Sequence, residues 1–229
     1  MYPEPVSLRF AQTTTRFGTG NPPHMSHDLR HRLRESYDRK ADERDSRTAP
    51  GYELQERDAF LSLLQTEQKH SVLELGAATG ADGKFFQQHG LDTVCIDLSS
   101  EMVRRCRSKG LRAHVMDLAD LRFPPDSFDA VYAMNSLVHL PRTELPDVLR
   151  EVGRVVKPRG LVYVGIYGGY DYEGTGDWDP YEPKRFFSFH TDEHLQRLLE
   201  KDFHVHSFRR IPHGWAGLHF QSVVLRKTV

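Results

Sequence analysis

The chain of 229 residues is 38% hydrophobic and 28% charged, which supports a folded core and excludes wholesale disorder. Its 31 Lys and Arg residues balance 32 Asp and Glu residues, and this near-neutral charge argues against a protein that binds nucleic acid through the phosphate groups of the backbone. No apolar run approaches the roughly 18 residues of a membrane span, and the two cysteines provide neither a disulfide framework nor a cysteine-based metal site. We expect a cytoplasmic protein with no metal centre and no nucleic-acid or membrane partner.

The first predicted elements are a tail and two helices. Residues 1–26 hold prolines and glycines without apolar periodicity, which predicts a flexible N-terminal tail. Residues 27–47 are densely charged and place apolar side chains at helical spacing, so they predict a solvated helix with one narrow apolar face. Pro50 and Gly51 end this helix, and a second helix is predicted to follow them.

From Val72 onward, strand and helix patterns alternate. The predicted strands are Val72–Leu75, Thr93–Ile96, Ala113–Met116, Phe128–Ala133, Leu161–Ile166, Phe203–Arg209 and His219–Arg226. The predicted helices cover Ala81–His89, Ser99–Lys109, a segment capped by Thr143, and Thr191–Glu200. This alternation predicts an α/β fold with a mostly parallel sheet covered by helices on both faces. Because no helix separates the last two strands, we expect them to pair antiparallel, and residues 168–190 are interpreted as an insertion.

A glycine-bearing turn follows the first predicted strand, where residues 72–80 read VLELGAATG. Glycine permits a tight turn and lets a ligand approach the backbone closely. In a parallel α/β sheet, ligands bind outside the carboxyl ends of the strands, which is where this turn should lie. A glycine turn also serves packing alone, so Gly76 and Gly80 do not identify a ligand by themselves.

Polar residues follow the next three strands at the same predicted edge of the sheet. Asp97 lies about 20 residues after the glycine turn, where an acidic side chain can accept both hydroxyls of a ribose. Asp117 can accept a hydrogen bond from an adenine amino group, although a carboxylate at this position also suits a turn cap. Asn135 and His139 follow the fourth strand. The ordered set predicts a nucleoside-containing cofactor.

This set of motifs resembles the class I S-adenosylmethionine-dependent methyltransferases that act on small molecules, over roughly residues 35–229. The matching segments are Tyr37-Asp38-x-x-Ala41, Glu74-x-Gly76-x-x-x-Gly80, Asp97, Asp117-Leu118, Asn135–Leu140 and Leu149–Leu161. The resemblance implies a Rossmann-like, seven-stranded sheet in the order 3-2-1-4-5-7-6. It also implies S-adenosyl-L-methionine as the cofactor, with S-adenosyl-L-homocysteine as its product. The cofactor-binding residues that it implies are Tyr37, Glu74, Gly76, Ala77, Gly80, Asp97, Leu98, Met102, Asp117, Leu118 and Asn135.

The resemblance further implies one methyltransferase domain over residues 27–229, with a helical lid over 27–66 and a substrate lid over 168–190. His139 is the candidate general base because imidazole titrates in the useful range, although it could equally line the pocket or bond the loop backbone. The substrate lid combines aromatic and acidic side chains, a composition that suits an aromatic or amine-bearing acceptor. The expected acceptor-side residues are Trp178, Arg185, Phe186 and His213.

The favoured function is methyl transfer to an oxygen or nitrogen of a small metabolite, by a monomer or a homodimer. Two alternatives stay open: a methyltransferase acting on RNA or protein, and a cofactor-binding regulatory or scaffold protein without catalysis. A nicotinamide-dependent reductase of the short-chain kind fits poorly. Its Tyr-x-x-x-Lys motif should follow the fourth strand at a set distance, and Tyr181-Glu182-Pro183-Lys184 has the wrong spacing.

Overall fold

The structure is a computed structural model that describes residues 27–213 and 217–228, so the predicted tail over 1–26 lies outside the described residues. The helices are α1 (His27–Arg39), α2 (Ala41–Asp45), α3 (Gly51–Thr66), α4 (Ala81–Gln88), α5 (Ser100–Ser108), α6 (Leu145–Val155) and α7 (Asp192–Leu199). The strands are β1 (Ser71–Leu75), β2 (Asp92–Asp97), β3 (Arg112–Val115), β4 (Phe128–Met134), β5 (Val156–Gly168), β6 (Tyr172–Thr175), β7 (Phe186–Phe189), β8 (Phe203–Pro212) and β9 (His219–Lys227). A short 3₁₀ turn over Leu137–His139 follows β4.

The main sheet has seven strands in the order β3-β2-β1-β4-β5-β9-β8. The first five positions are joined by parallel pairs, whereas β9 runs antiparallel to both β5 and β8. Because β6 and β7 form a separate two-stranded sheet, β8 and β9 are the sixth and seventh strands of the main sheet. The predicted Rossmann-like fold, its strand order and its antiparallel pair are therefore confirmed.

Two hydrophobic layers hold the sheet, one on each face. Alternate residues of β4 supply them: Val131 belongs to one layer and Tyr132 to the other, as the period of a strand requires. The apolar stripe of α6, which includes Val148 and Val152, packs in the first layer. In the second layer the rings of Tyr132 and Tyr163 stack at 4.9 Å beneath α3. Full burial of an aliphatic side chain such as Val148 or Val152 stabilises the folded state by about 1.5–3 kcal/mol. The two layers therefore fix the orientation of the strands.

Side-chain caps define two of the predicted helix starts. The Ser99 hydroxyl accepts a hydrogen bond from the Met102 amide at 3.1 Å, and Thr191 caps α7 in the same way. The predicted Thr143 cap of α6 is wrong. The Pro141 carbonyl accepts from the amides of Glu144 and Leu145, and this extra turn moves the helix start, so that Glu144 occupies the N-cap position.

The insertion and the first helix differ in detail from the prediction. Residues 168–190 contain the β6–β7 pair, in which Tyr172 lies opposite Phe189. The segment that reads as one helix over 27–47 divides at Lys40 into α1 and α2, because the Lys40 backbone leaves the helical conformation. Over the two described ranges, none of the helices has both the length and the apolar character needed to cross a bilayer.

Candidate functional site

A cavity lies at the carboxyl ends of β1, β2 and β4, which is where ligands bind in a parallel α/β sheet. Its wall is formed by Arg30, Leu33, Arg34, Tyr37, Arg44, Gly76, Ala78, Asp97, Leu98, Ser99, Asp117, Leu118, Met134, Asn135, Ser136, His139 and Leu140. The strand ends therefore form its floor, and α1 covers it together with Arg44 of α2. Eight of the predicted site residues meet on this wall: the candidate base His139 and the seven predicted cofactor-binding residues Tyr37, Gly76, Asp97, Leu98, Asp117, Leu118 and Asn135.

The glycine turn after β1 needs glycine for steric reasons. Gly76 has φ +68°, and a Cβ built there would lie 2.5 Å from the Cβ of Ser136. The turn after β1 and the turn after β4 can approach this closely only because residue 76 has no side chain. Gly80 also has a positive φ, but a Cβ there would meet Leu111 and Cys106, which do not line the cavity.

Asp97 is buried on the cavity wall and is already partly hydrogen-bonded. Its two oxygens accept from the amides of Ala78 and Ser99, each at 2.9 Å. Burial raises the pKa of Asp97 to about 6, and these two backbone donors oppose the rise. Each carboxylate oxygen can accept a second hydrogen bond, so both remain available to a ligand with hydroxyl donors.

Asp117 is paired with a residue that the sequence reasoning missed. Its Oδ1 accepts from the Ala119 amide at 2.9 Å, and its Oδ2 accepts from Nε of Arg30 on α1. Arg30 also donates through Nη2 to Glu144 Oε2 at 3.0 Å. The arginine thus ties α1 to the end of β3 and the start of α6. No local pattern distinguishes Arg30 from the other charged residues of α1.

Two buried polar atoms on the wall have no hydrogen-bond partner among the described residues. They are Oδ1 of Asn135 and Oγ of Ser136. The Asn135 side chain is oriented by its amide, which donates to Glu53 Oε1 at 2.9 Å, and Arg47 holds Glu53 in turn. Buried polar atoms are normally satisfied, so unpaired acceptors on a cavity wall indicate a polar ligand.

His139 forms hydrogen bonds through both ring nitrogens. Nδ1 lies 2.8 Å from the Phe186 carbonyl oxygen, which can only accept, so Nδ1 carries the proton. Nε2 therefore accepts from the Tyr37 hydroxyl at 2.7 Å. Burial, together with the positive charge of Arg185, lowers the pKa of His139 to about 3. The imidazole is accordingly neutral at pH 7.

Arg185 connects this pair to the insertion. It donates through Nη1 to the Tyr37 oxygen at 3.1 Å and through Nη2 to Asp179 Oδ1 at 2.6 Å. The Asp179 carboxylate is fully buried and also accepts from the Arg185 amide at 2.8 Å. The guanidinium lies 3.7 Å from the centre of the Tyr181 ring. Asp179, Arg185, Tyr37 and His139 thus form one connected chain that joins the insertion to α1.

Several predicted site residues stand away from the cavity wall as the structure describes it. They are Glu74, Ala77, Gly80, Met102, Trp178, Arg185, Phe186 and His213. Glu74 instead accepts from the Cys95 thiol at 3.2 Å, and burial with the nearby Asp82 carboxylate raises its pKa well above the usual range. Arg185 and Phe186 act on the wall through Tyr37 and His139. The ligand roles of these residues remain predictions.

The donor and acceptor set of the wall fits S-adenosylmethionine. Asp97 and Asp117 offer acceptors for hydroxyl and amino groups, and Leu98 and Leu118 provide apolar surface beside them. The unpaired oxygens of Asn135 and Ser136 suit an ammonium group. Arg34 and Arg44 also lie on the wall and can attract a carboxylate. The hydroxyl, amino, ammonium and carboxylate groups of the cofactor each therefore have a chemically matched residue on this wall.

Comparison with known proteins agrees with this geometry. Residues 72–160 match a family described as a methyltransferase domain. A malonyl-[acyl-carrier protein] O-methyltransferase of Halorhodospira halophila is 29% identical over 183 residues, covering 75% of this chain and 61% of the relative. A phosphoethanolamine N-methyltransferase of Triticum aestivum is 26% identical over 152 residues, covering 62% of this chain and 29% of the relative. The chain thus spans less than two thirds of the length of these relatives.

The fold of the chain is similar to that of a solved structure over nearly its whole length. That structure is the 1,6-didemethyltoxoflavin-N1-methyltransferase of Burkholderia thailandensis, with bound 1,6-didemethyltoxoflavin and S-adenosylhomocysteine. Its TM-score is 0.71 at 21% identity, and the match covers 92% of this chain and 93% of that one. Residues 72–160 thus match a methyltransferase domain, and the sheet order and the likeness to this solved structure show that the described chain has the fold of the class I S-adenosylmethionine-dependent methyltransferases.

Proposed function

We propose that this protein transfers a methyl group from S-adenosylmethionine to a nitrogen or oxygen atom of a small metabolite. The observation that carries the proposal is the single wall on which Asp97, Asp117 and Asn135 meet Tyr37 and His139. The first three residues suit the cofactor, and the last two lie beside them where an acceptor would have to approach. The relatives are named for acceptors as different as malonyl-[acyl-carrier protein] and phosphoethanolamine, so the family alone does not select one.

The protein's part in this reaction is to bind and align. The bound cofactor supplies a methyl group already activated on a sulfonium, so alignment of the acceptor with it provides much of the catalysis. Asp97, Asp117 and the Asn135 side chain would hold the cofactor. α1 lies over the cavity and is held there by the contacts of Arg30 with Asp117 and of Tyr37 with His139.

The charge state of His139 favours particular acceptors. A general base works best when its pKa lies near the operating pH, and the pKa of His139 is held at about 3. We therefore propose that His139 positions the Tyr37 hydroxyl at the acceptor side, and that the acceptor reacts without first losing a proton to the imidazole. A neutral amine, whose lone pair is free, or an anionic oxygen such as a carboxylate fits this requirement.

Calorimetric titration with S-adenosylmethionine and S-adenosylhomocysteine tests the proposal, with NAD as the control ligand. We expect saturable one-to-one binding of the first two and no binding of NAD. An acceptor screen of amines, carboxylates and phenols then follows, with S-adenosylhomocysteine formation as the readout. Failure of a folded protein to bind either sulfur compound, alone or with acceptors present, would overturn the assignment. Binding without turnover on any acceptor would instead favour the regulatory alternative.

A further inference from the structure

Three side chains with metal-ligating atoms meet outside the cavity, where the insertion joins α7. They are Asp171, His190 and His194, and one carboxylate oxygen and one nitrogen from each ring all lie within 4.8 Å of one another. We call these three residues the 171–190–194 cluster. None of them touches the chain of contacts that holds His139.

The fold brings the three residues together from two segments. Tyr172 of β6 lies opposite Phe189 of β7, so the residues flanking that pair, Asp171 and His190, are neighbours. Thr191 caps α7 by accepting from the His194 amide at 3.2 Å, which turns the first helical residues back toward His190. The two imidazole rings consequently lie edge to face with their centres 5.1 Å apart.

His190 provides an independent sign that a ligand belongs here. The residue is 1% exposed, and its Nδ1 has no hydrogen-bond partner within the described ranges. Its Nε2 lies 3.5 Å from the Ser188 hydroxyl, at the limit of a hydrogen bond. A buried imidazole that is poorly satisfied at both nitrogens is unfavourable unless another group binds one of them.

We propose that Asp171, His190 and His194 bind a divalent transition-metal ion, with Zn²⁺ as the best match. Two imidazoles and one carboxylate form a ligand set that zinc accepts, and a water molecule completes the tetrahedron on the exposed side of Asp171. Bonds of the usual length place neighbouring ligand atoms of a tetrahedral zinc site about 3.4 Å apart. His194 Nδ1 and Asp171 Oδ1 already lie 3.5 Å apart, so this pair needs almost no movement.

Arg142 places a positive charge beside the proposed metal site, which disfavours binding of a cation. Its Nη2 lies 3.1 Å from Asp171 Oδ1 and also donates to the Phe189 carbonyl at 2.9 Å. A carboxylate has two oxygens and about four lone-pair directions, so Asp171 can hold the arginine and an ion together. The nearby positive charge weakens the site, and we expect weaker binding than in a closed site with four protein ligands.

The ion would join both ends of the insertion to α7. Asp171 and His190 flank the segment that carries Asp179 and Arg185, and His194 belongs to the helix behind it. A bond to each restricts the relative movement of these elements. The site is therefore structural, and occupancy should raise the thermal stability of the protein without being needed for cofactor binding.

Titration of chelator-treated protein with ZnCl₂, followed by calorimetry and by thermal unfolding, tests the proposal. Co²⁺ serves as the spectroscopic probe, because its visible absorption reports imidazole ligation and coordination geometry. We expect one ion per chain, a higher Tm with Zn²⁺, and affinity reduced at least about tenfold in Asp171→Asn, His190→Ala and His194→Ala. His206→Ala, which removes an exposed histidine of β8, is the matched control and should bind like the unaltered protein.

The chain has 13 histidines, so the variants decide where an ion binds. Absence of stoichiometric Zn²⁺ binding overturns the proposal. Equal binding by Asp171→Asn and His194→Ala also overturns it, since the ion then sits elsewhere. Asp171 is exposed and His194 is half-buried, so these two variants keep the test valid if His190→Ala does not fold. Titration of the metal-free protein with S-adenosylmethionine separates this outcome from the proposed function.

Discussion

At the scale of single residues, Asp97 shows how one carboxylate can both stabilise a turn and line a cavity. Its carboxylate accepts hydrogen bonds from backbone amides of the glycine turn and of the residue before α5, and it still lines the cavity. The same side chain therefore fixes the geometry of the turn and presents acceptors to the cavity, where we propose that the cofactor binds. Burial raises its pKa, which is the usual consequence of placing a carboxylate where water is scarce.

Asp97→Ala should weaken S-adenosylmethionine binding at least about tenfold. Hydrogen bonds to a charged group contribute about 1.5–3 kcal/mol, and a tenfold change in Kd corresponds to about 1.4 kcal/mol. Calorimetric titration of both proteins measures the change. Asp92→Ala is the control, because Asp92 is an exposed carboxylate at the other end of the same strand. Equal affinities in Asp97→Ala and the unaltered protein would exclude Asp97 from the cofactor site.

At the scale of elements, the turn after β1 and the turn after β4 depend on each other. The sequence predicts both turns but contains no sign that they touch. In the structure, the backbone of Gly76 fits against the Ser136 side chain, and the turn with Asn135 brings its amide to Glu53. The strand order explains this, because β1 and β4 are neighbours in the sheet although 52 residues separate the end of one from the start of the other.

Gly76→Ala should destabilise the protein and reduce cofactor affinity more than Gly90→Ala does. Both glycines have positive φ, so each alanine carries a similar conformational cost of about 1–2 kcal/mol. A Cβ at position 76 also clashes with Ser136, whereas nothing lies within 4 Å of one at position 90. Urea unfolding and calorimetric titration of the two variants give the comparison. Similar losses in both would show that the turns can separate at little cost.

At the scale of the whole molecule, contacts between distant parts of the chain join α1 to the residues at the edge of the sheet. Arg30 reaches Asp117 across 87 residues, and Tyr37 reaches His139 and Arg185 across 102 and 148 residues. These contacts place α1 and the insertion over the same cavity. Closure of the site is thus coupled to the fold as a whole, and the state of His139 should influence global stability.

The contribution of His139 to stability should depend on pH. Its folded pKa is about 3 and its unfolded value is near 6.5, so below pH 6.5 the unfolded state binds the additional proton. Stability from the neutral imidazole is fully present above pH 6.5 and decreases toward pH 3 by about 1.4 kcal/mol per pH unit. Urea unfolding at several pH values, compared with His139→Gln, isolates this contribution because glutamine does not titrate.

The stability difference between the two proteins should therefore shrink as the pH falls from 6.5. A difference that stays constant down to pH 4 would mean that the imidazole titrates normally. In that case the predicted general-base role of His139 would regain its physical basis, and acceptors that must lose a proton would become the better candidates.

Local patterns in the sequence suffice to predict the sheet and the edge at which the proposed cofactor site lies. Strand and helix periodicities, the glycine turn and the carboxylates at strand ends are local patterns, and the parallel crossover rule converts their order into positions in space. Gly76, Asp97 and Asp117 could be selected for this reason. For the 171–190–194 cluster, the sequence contains only two histidines four residues apart, His190 and His194. It gives no sign that Asp171, in another segment, lies beside them.

The side chains that complete each site could be identified only in the folded chain. Arg30 at Asp117, Asp179 behind Arg185, and the orientation of Glu74 toward Cys95 involve partners that no periodicity connects. Charged residues on a solvated helix look alike in sequence, and packing selects the one that lies opposite a buried carboxylate. The pKa of His139 likewise follows from burial and from one arginine brought beside it by the fold, so its chemistry is a property of the assembled molecule.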